Sequence, residues 1–191
     1  MITLKWNFEH ERNNKMKRNK VVMVDINDNV VGTKEKIEAH KTPILHRAFS
    51  IYLYNSSNEM LIQKRADHKY HSVGLWSNAC CSHPQLNENI KQGALERLEN
   101  EIGIKTDIEE LFSFIYMNKF NDSLYEYEYD HVFIGKYDGD FILNPEEASD
   151  AKWISIDELK KDLTLNPKAY SAWFIISAPR VIEFLEKKKI G

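Results

Sequence analysis

The sequence lacks any apolar run long enough to cross a bilayer, for which about 20 consecutive apolar residues would be needed. Hydrophobic residues make up 42% of the chain and charged residues 29%, and the two kinds are interspersed. Charged side chains also stand within the first ten residues, where a secretory signal peptide would need an apolar segment. This composition excludes a helical membrane protein and predicts a soluble globular protein that is not exported.

Cysteine is almost absent, and the two that occur, Cys80 and Cys81, are neighbours in the sequence. Adjacent cysteines cannot form an ordinary structural disulfide, so a reducing compartment fits best and we expect a cytoplasmic protein. An excess of positive charge is lacking too, because the formal net charge is -3. We therefore expect no nucleic-acid or membrane partner, and a few placed cations would have to hold any phosphate of a small-molecule ligand.

The length of 191 residues suits one domain with its own core. Residues 1–19 are polar without apolar periodicity, which predicts an N-terminal extension before a single domain at 20–191. Hydrophobic alternation predicts strands at 21–26, 30–32, 46–54, 60–65, 75–77, 111–120, 124–137 and 151–155. Helices are predicted at 89–102, 157–162 and 167–189, with a break or kink near Pro179, and a loop at 33–43. This order of elements predicts an α/β (α+β) fold, a mixed β-sheet core with helices packed against it.

The run Cys81-Ser82-His83-Pro84 places a thiol two residues before an imidazole. A cysteine and a histidine at this spacing can share a metal ion or an acid/base task. The alternative is a buried cysteine pair that packs as small hydrophobes beside a loop histidine. The motif alone does not decide between the two.

A second chemical feature is the pair Glu126 and Glu128, which strand alternation sends to the same face as Val132 and Ile134. Two carboxylates that face an apolar interior need a cation between them, unless they lie on an edge strand in water. Three histidines are candidate nitrogen ligands, and such a mixed set suits Zn²⁺ or Mn²⁺ better than Mg²⁺. These are His40, His46 and His83, whereas His10, His68, His71 and His131 are predicted to be solvated or packing residues.

A third feature is Glu101, which lies four residues after Arg97 at the margin of the predicted helix 89–102. The simpler interpretation is an ion pair between these two side chains. The functional alternative is a ligand of Mg²⁺, which typically takes one or two carboxylates together with ligand phosphates. Four bases could complete a diphosphate pocket, namely Lys36, Arg65, Lys69 and Arg97.

The same helix can be tested against the metal-binding signature of Nudix hydrolases. When the signature is aligned to end on Gly103-Ile104, only Glu88, Leu98, Glu101, Gly103 and Ile104 fit it. Arg97 and Asn100 stand where two metal-binding acids would be. The sequence thus resembles a Nudix-like scaffold whose hydrolase centre has been lost.

Several motifs together resemble the type I isopentenyl-diphosphate isomerase family, with a match from about Val21 to Glu186. They are Gly32-Thr33-Lys34-Glu35-Lys36 with Ala39-His40, Leu45-His46-Arg47-Ala48-Phe49-Ser50, Asn78-Ala79-Cys80-Cys81-Ser82-His83-Pro84 and Glu126-Tyr127-Glu128. The resemblance implies that Cys81 and Glu128 are the catalytic pair and that Tyr116 and Trp173 are active-site aromatics. It also implies one divalent metal on His40, His46, His83, Glu126 and Glu128, and a Mg²⁺ that joins Glu101 to the substrate diphosphate.

The activity implied by this resemblance is the interconversion of isopentenyl and dimethylallyl diphosphate. One group gives a proton to an alkene carbon and another takes a proton from a neighbouring carbon, with Cys81 and the Glu128–Tyr116 assembly on opposite faces of the substrate. Trp173 is expected to face the cationic intermediate. Two alternatives remain, a Nudix-type diphosphate hydrolase and a non-catalytic metal-dependent binding module.

Overall fold

A nine-stranded mixed sheet with helices on both faces organises the chain, and the computed structural model describes residues 18–69 and 71–190. In chain order the strands are β1 Lys20–Val24, β2 Val30–Glu35, β3 His46–Tyr54, β4 Glu59–Arg65, β5 Trp76–Asn78, β6 Cys80–Ser82, β7 Glu109–Asn121, β8 Leu124–Lys136 and β9 Ala148–Ser155. The α-helices are α1 Lys36–Lys41, α2 Ile90–Ile102, α3 Ile156–Leu165 and α4 Ala172–Ile190, with a 3-10 turn at Pro167–Ala169. None of the helices in this part of the chain combines the length and apolar composition that crossing a bilayer requires.

Strand β3 is the hub of the sheet. It pairs antiparallel with β1, β4 and β6, and parallel with β8 from His46–Glu128 to Tyr54–Lys136. Strand β7 continues the sheet beyond β8, and β9 pairs with β4. Parallel pairing of β3 with β8 confirms a mixed sheet, and it brings residues about 80 positions apart in sequence side by side.

Two apolar layers cover the faces of the sheet. On one face Val132 of β8 packs with Phe174 of α4, and on the other Ile51 of β3 packs with Leu98 of α2. Each of these side chains is fully buried, which stabilises the fold by about 1.5–3 kcal/mol per side chain. Consecutive residues of β6 divide between the layers, because Cys80 joins the α2 side and Cys81 contacts the α4 side. Cys80 is therefore a packing residue of the core.

Local sequence explains where the clearest helix begins and ends. The side chain of Asn89 accepts a hydrogen bond from the backbone N–H of Gln92 at 3.0 Å, which caps α2. Gly103 ends the helix with φ 69°, a left-handed conformation that glycine adopts without a steric penalty. The predicted helix 89–102 is therefore confirmed together with its stop signal.

The predicted loop at 33–43 is wrong. Strand β2 extends to Glu35, which pairs with Lys20, and helix α1 follows at once. A strand at the sheet edge keeps polar residues in water, and a six-residue helix is too short to show apolar periodicity, so the sequence pattern hides both elements. At the other end, α4 runs without interruption through Pro179, so this proline does not break the helix.

The predicted extension 1–19 falls mostly outside the described residues, which begin at Arg18, so the boundary stays a prediction. Arg18 itself lies against the domain, where its guanidinium forms an ion pair with Glu88 at 2.5 Å. The carbonyl of Asn19 accepts a hydrogen bond from the backbone N–H of Lys36 at 2.6 Å. These contacts attach the first described residues to α1 and to the segment before α2.

Candidate active site

The strand register gathers the chemically active side chains on the face that α4 covers. His46 of β3 and Tyr116 of β7 both pair directly with Glu128 of β8. Cys81 of β6 pairs with Ser50, four residues after His46 on β3. Directly paired residues point to the same side of a sheet, and so do residues an even number apart on one strand. The four candidate side chains therefore share one face.

Glu126 and Glu128 are both buried, with 3% and 6% of their surface exposed. Strand β8 is paired along both edges, with β3 and with β7. The alternative of an edge strand with its acids in water is therefore wrong. Their carboxylates need compensation from within the protein or from a bound cation.

The buried acids meet three imidazoles in what we call the histidine–glutamate cluster, which consists of His40, His46, His83, Glu126 and Glu128. His40 comes from α1, His46 from the start of β3, and His83 from the residue after β6. One potential ligand atom each of these histidines and of Glu128 lies within 4.8 Å of the others. Ligands on opposite sides of one ion lie about 4 Å apart, since metal–nitrogen bonds are about 2.1 Å long. The spacing thus suits a shared metal ion.

The hydrogen bonds of two rings support the same conclusion. Nδ1 of His40 lies 2.7 Å from the carbonyl oxygen of Lys36, and Nδ1 of His46 lies 2.8 Å from that of Ile44. A carbonyl only accepts, so each Nδ1 carries the hydrogen and each Nε2 carries the lone pair that a metal binds. Nε2 of His46 is buried, has no hydrogen-bond partner among the described residues, and lies 3.6 Å from Glu128. Such an orphaned acceptor fits a metal ligand.

Burial sets the protonation of the cluster. It lowers the pKa of His40 to about 4 and that of His83 to about 3, so both rings are neutral at pH 7. Burial raises the pKa of Glu126 well above its usual range, and the charge of Glu128 adds to this effect. Burial also opposes charge on Glu128, yet the imidazoles of His46 and His83 hold its pKa well below the usual range. Two acids pushed in opposite directions behave as a pair that lacks a cation.

Cys81 and Glu128 line a common pocket, together with Trp173, Lys36, Arg65 and other residues. Burial raises the pKa of the Cys81 thiol to about 12, while the Arg65 guanidinium acts in the opposite direction. Arg65 lies 3.9 Å from Cys81 Sγ and 5.2 Å from the centre of the Trp173 ring. The pocket therefore holds a protonated thiol beside a cation and an aromatic face.

Two further contacts orient the aromatic side chains of the site. The hydroxyl of Tyr116 lies 2.6 Å from Glu128 Oε2 and 3.2 Å from Glu126 Oε2. The indole N–H of Trp173 donates to Asn78 Oδ1 at 3.0 Å. Both rings are buried and are held by hydrogen bonds that specify one orientation.

The proposed phosphate bases separate into two places. Lys36 and Arg65 line the pocket, whereas Lys69 and Arg97 belong to what we call the arginine network, formed by Lys69, Arg97, Glu101 and Glu147. Arg97 pairs with Glu101 at 2.7 Å and with Glu147 at 2.9 Å, and Lys69 pairs with Glu147 at 2.5 Å. The predicted Arg97–Glu101 ion pair is confirmed.

Comparison with known proteins shows the family. The NUDIX domain family model matches residues 44–174. The chain is 46% identical over 162 residues to isopentenyl-diphosphate Delta-isomerase 2 of Aromatoleum aromaticum, covering 85% of this chain and 86% of that relative. It is 43% identical over 175 residues to isopentenyl-diphosphate Delta-isomerase of Aliivibrio fischeri, covering 87% of this chain and 97% of that relative. The chain belongs to the isopentenyl-diphosphate Delta-isomerase family.

Solved structures support the fold of this isomerase family member. DR0079 from Deinococcus radiodurans superposes with a TM-score of 0.62 at 20% identity, covering 77% of this chain and 90% of that chain. A MutT protein from Methanosarcina mazei superposes with a TM-score of 0.59 at 17% identity, covering 76% of this chain and 95% of that chain. At these identities the likeness shows the fold alone. The predicted Nudix-like fold is thus confirmed, and the NUDIX match with the histidine–glutamate cluster indicates divalent metal binding.

One acid of the hydrolase signature has a different use in this isomerase family member. The carboxylate of Glu88 accepts from Arg18 and, at 2.7 Å, from the backbone N–H of Gln85. These contacts tie the segment before α2 to the first described residues. Glu88 therefore serves a structural purpose in this chain, in keeping with the loss of the hydrolase signature at Arg97 and Asn100.

The histidines outside the predicted ligand set differ in their surroundings. His68 is exposed, and His131 lies between Asp28 at 3.1 Å and Glu110 at 2.7 Å. His71 is buried and packs on Phe120, but it also lies in the pocket, which the sequence did not indicate. His10 lies outside the described residues. Glu147 was missed as well, because it comes from an irregular segment before β9.

Proposed function

We propose that this protein interconverts isopentenyl and dimethylallyl diphosphate, as the names of its relatives describe for those proteins. The observation that carries the proposal is that Cys81 and Glu128 line one buried pocket from two strands on opposite sides of β3. The substrate chain would lie between them. This arrangement suits a reaction that handles one proton on each of two faces.

The reaction moves a double bond without any net change in atoms. A proton adds to the terminal alkene carbon, a tertiary cation results, and a proton leaves the neighbouring methylene carbon to form the internal alkene. The thiol of Cys81 serves one of these transfers and the Glu128–Tyr116 pair serves the other. Tyr116 would hold the Glu128 carboxyl in place through its 2.6 Å hydrogen bond.

Charge stabilisation and exclusion of water come from the walls of the pocket. The Trp173 ring, which Asn78 orients, would present its π face to the cation, and such a contact is worth about 2 kcal/mol when it is desolvated. Burial of the surrounding side chains keeps water from capturing the cation. Both features suit hydrocarbon chemistry better than hydrolysis, which needs a positioned water molecule.

Two metal ions are part of the proposal. The histidine–glutamate cluster would hold one Zn²⁺ or Mn²⁺, whose charge would let Glu126 and Glu128 be ionised together. Glu101 would meet a Mg²⁺ that accompanies the substrate diphosphate. Lys36, Arg65, Lys69 and Arg97 would bind the phosphate oxygens.

The direct test is incubation of the purified protein with isopentenyl diphosphate and Mg²⁺ in deuterated water, followed by NMR. We expect dimethylallyl diphosphate with deuterium in its new methyl group. Cys81→Ala should abolish turnover, whereas Cys80→Ala, which removes the neighbouring core thiol, should leave it nearly unchanged. Full activity of Cys81→Ala would overturn the assigned role. Phosphate release from a nucleoside diphosphate without isomerisation would favour the hydrolase alternative.

A further inference from the structure

The segment between β4 and β5 folds back on itself and buries a histidine. Two backbone hydrogen bonds join its ends. The N–H of Arg65 donates to the carbonyl oxygen of Leu75 at 3.0 Å, and the N–H of Gly74 donates to the carbonyl oxygen of Arg65 at 3.1 Å. Ser72 has φ 51°, a left-handed conformation that costs a residue with a side chain about 1 kcal/mol or more. The preceding His71 is only 8% exposed. A polar loop that accepts backbone strain to bury an imidazole calls for a functional reason.

The contacts of His71 direct it towards the histidine–glutamate cluster. Its Nε2 lies 3.3 Å from Glu126 Oε1. Its ring stacks on Phe120 at 4.7 Å and lies nearly parallel to His40 at 5.9 Å. Trp173 meets it edge-on at 6.3 Å. Aromatic packing on these sides fixes the ring with a nitrogen facing the buried acid.

Two groups of potential ligand atoms meet at His40. One is His40, His46, His83 and Glu128, and the other is His40, His71 and Glu126, with all atoms of each group within 4.8 Å of one another. Because Nδ1 of His40 binds the Lys36 carbonyl, His40 offers a metal only its Nε2. A single nitrogen binds a single ion, so the two groups converge on one metal position rather than two.

We propose that His71 is an additional ligand of this one metal ion, beside His40 and Glu126. The inference rests on the metal centre of the proposed function. With His71, six side chains would surround the ion, which is the number of ligands that an octahedral ion accepts. The metal would then have no position left for water or substrate, and its work would be to hold Glu126 and Glu128 in place and charged.

The test is the metal affinity of the full chain, measured with a competing chelator and Zn²⁺ or Mn²⁺. His71→Ala should bind the ion at least roughly 10- to 100-fold more weakly than the parent protein. Substituted Co²⁺ should show a changed absorption spectrum in the variant, because one imidazole has left its coordination sphere. His68→Ala, from the same loop but on an exposed residue, is the matched control and should leave affinity and spectrum unchanged.

A folding defect is separated by melting the proteins with and without metal. His71→Ala and His71→Asn should melt near the parent when metal-free but gain less on metal addition. Affinity and a Co²⁺ spectrum equal to those of the parent would show that His71 only packs, and would overturn the inference while leaving isomerase activity intact. Weaker metal binding by His71→Ala in a protein without isomerase activity would uphold the ligand and overturn the proposed function instead.

Discussion

The histidine–glutamate cluster and the arginine network use similar acids in opposite ways. In the network, Arg97 and Lys69 face the carboxylates of Glu101 and Glu147, so two positive charges balance two negative ones. In the cluster, two buried carboxylates meet imidazoles that burial keeps neutral. The network balances its charges through its own ion pairs, whereas the cluster contains two acids that resist being ionised together without a cation.

The pKa values of the acids in the two groups show this difference. Burial opposes charge on Glu147, but Arg97 and Lys69 hold its pKa below the usual value. Burial and the charge of Glu128 raise the pKa of Glu126 well above the usual value, and Arg65 and Lys36 act in the opposite direction without overcoming this effect. A buried acid therefore marks a metal site only when its neighbours leave the charge uncompensated. By this criterion the cluster needs a bound cation. The network balances its own charges as long as its ion pairs stay intact.

The largest expected effect comes from removing the acid of the cluster that also faces the pocket. Glu128→Gln should lower kcat/KM for isopentenyl diphosphate by about 10³-fold, since a positioned acid or base typically contributes 10²- to 10⁴-fold. Glu147→Gln, the matched change in the network, should not lower kcat/KM. A Glu128→Gln enzyme within tenfold of the parent would remove the functional distinction between the two groups.

The network should instead matter for stability. Arg97→Ala leaves the buried carboxylate of Glu101 without its cation, and breaking a buried pair in this way costs about 4 kcal/mol of unfolding free energy. Urea unfolding measures the loss. Lys69→Ala, at a more exposed pair, should cost less than about 1 kcal/mol. Adding Glu101→Gln to Arg97→Ala should restore part of the stability, and no restoration would contradict the charge argument.

Acid should disrupt the cluster before the network. His40, His71 and His83 have pKa values lowered by burial to about 4, 2 and 3, against 6.5 in the unfolded chain. Their contribution is complete above pH 6.5 and is lost as pH falls, because the unfolded state then binds protons that the native state refuses. Between pH 6.5 and 5.5 each imidazole should cost about 1 kcal/mol. Glu126 and Asp130 offset part of this loss, because their raised pKa values let them keep a proton in the native state that the unfolded chain has lost.

The measurement is urea unfolding of the metal-free protein at each pH. The lowered pKa of Glu147 makes the network lose stability only near and below pH 4.5, the ordinary pKa of a glutamate, so the network adds little to the change in this interval. His83→Gln should lose about 1 kcal/mol less than the parent between pH 6.5 and 5.5, since one titrating ring is gone. An equal loss in the parent and in the variant would mean that His83 is not buried as a neutral group.

Sequence patterns could predict whatever depends on local periodicity. Helix α2 shows its apolar spacing, its Asn89 cap and its Gly103 stop within a single segment. The shared face of Glu126 and Glu128 follows from alternation along one strand, whereas their burial depends on the two strands that flank β8. In these places neighbouring residues carry the whole physical argument.

What the sequence could not predict depends on contacts between distant segments. His71 enters the pocket because its loop folds inward and stacks it on Phe120, a residue 49 positions away that periodicity does not connect to it. Glu147 meets Lys69 and Arg97 only through the folding of two irregular segments. Loop residues have no repeating pattern, so their partners emerge only in three dimensions.

The smallest expected effect concerns the competition between Glu147 and the substrate diphosphate for Lys69 and Arg97. Glu147 forms ion pairs with Lys69 and Arg97, two of the bases that we assign to the diphosphate. The diphosphate must compete with this carboxylate, and a partly exposed ion pair is worth up to about 1 kcal/mol. Glu147→Gln should therefore lower KM by about fivefold with kcat nearly unchanged. Glu146→Gln, on the exposed neighbouring residue, is the control and should change neither parameter. If KM instead rises in Glu147→Gln, the carboxylate holds the two bases in position for the diphosphate, and the network is part of the binding site rather than its competitor.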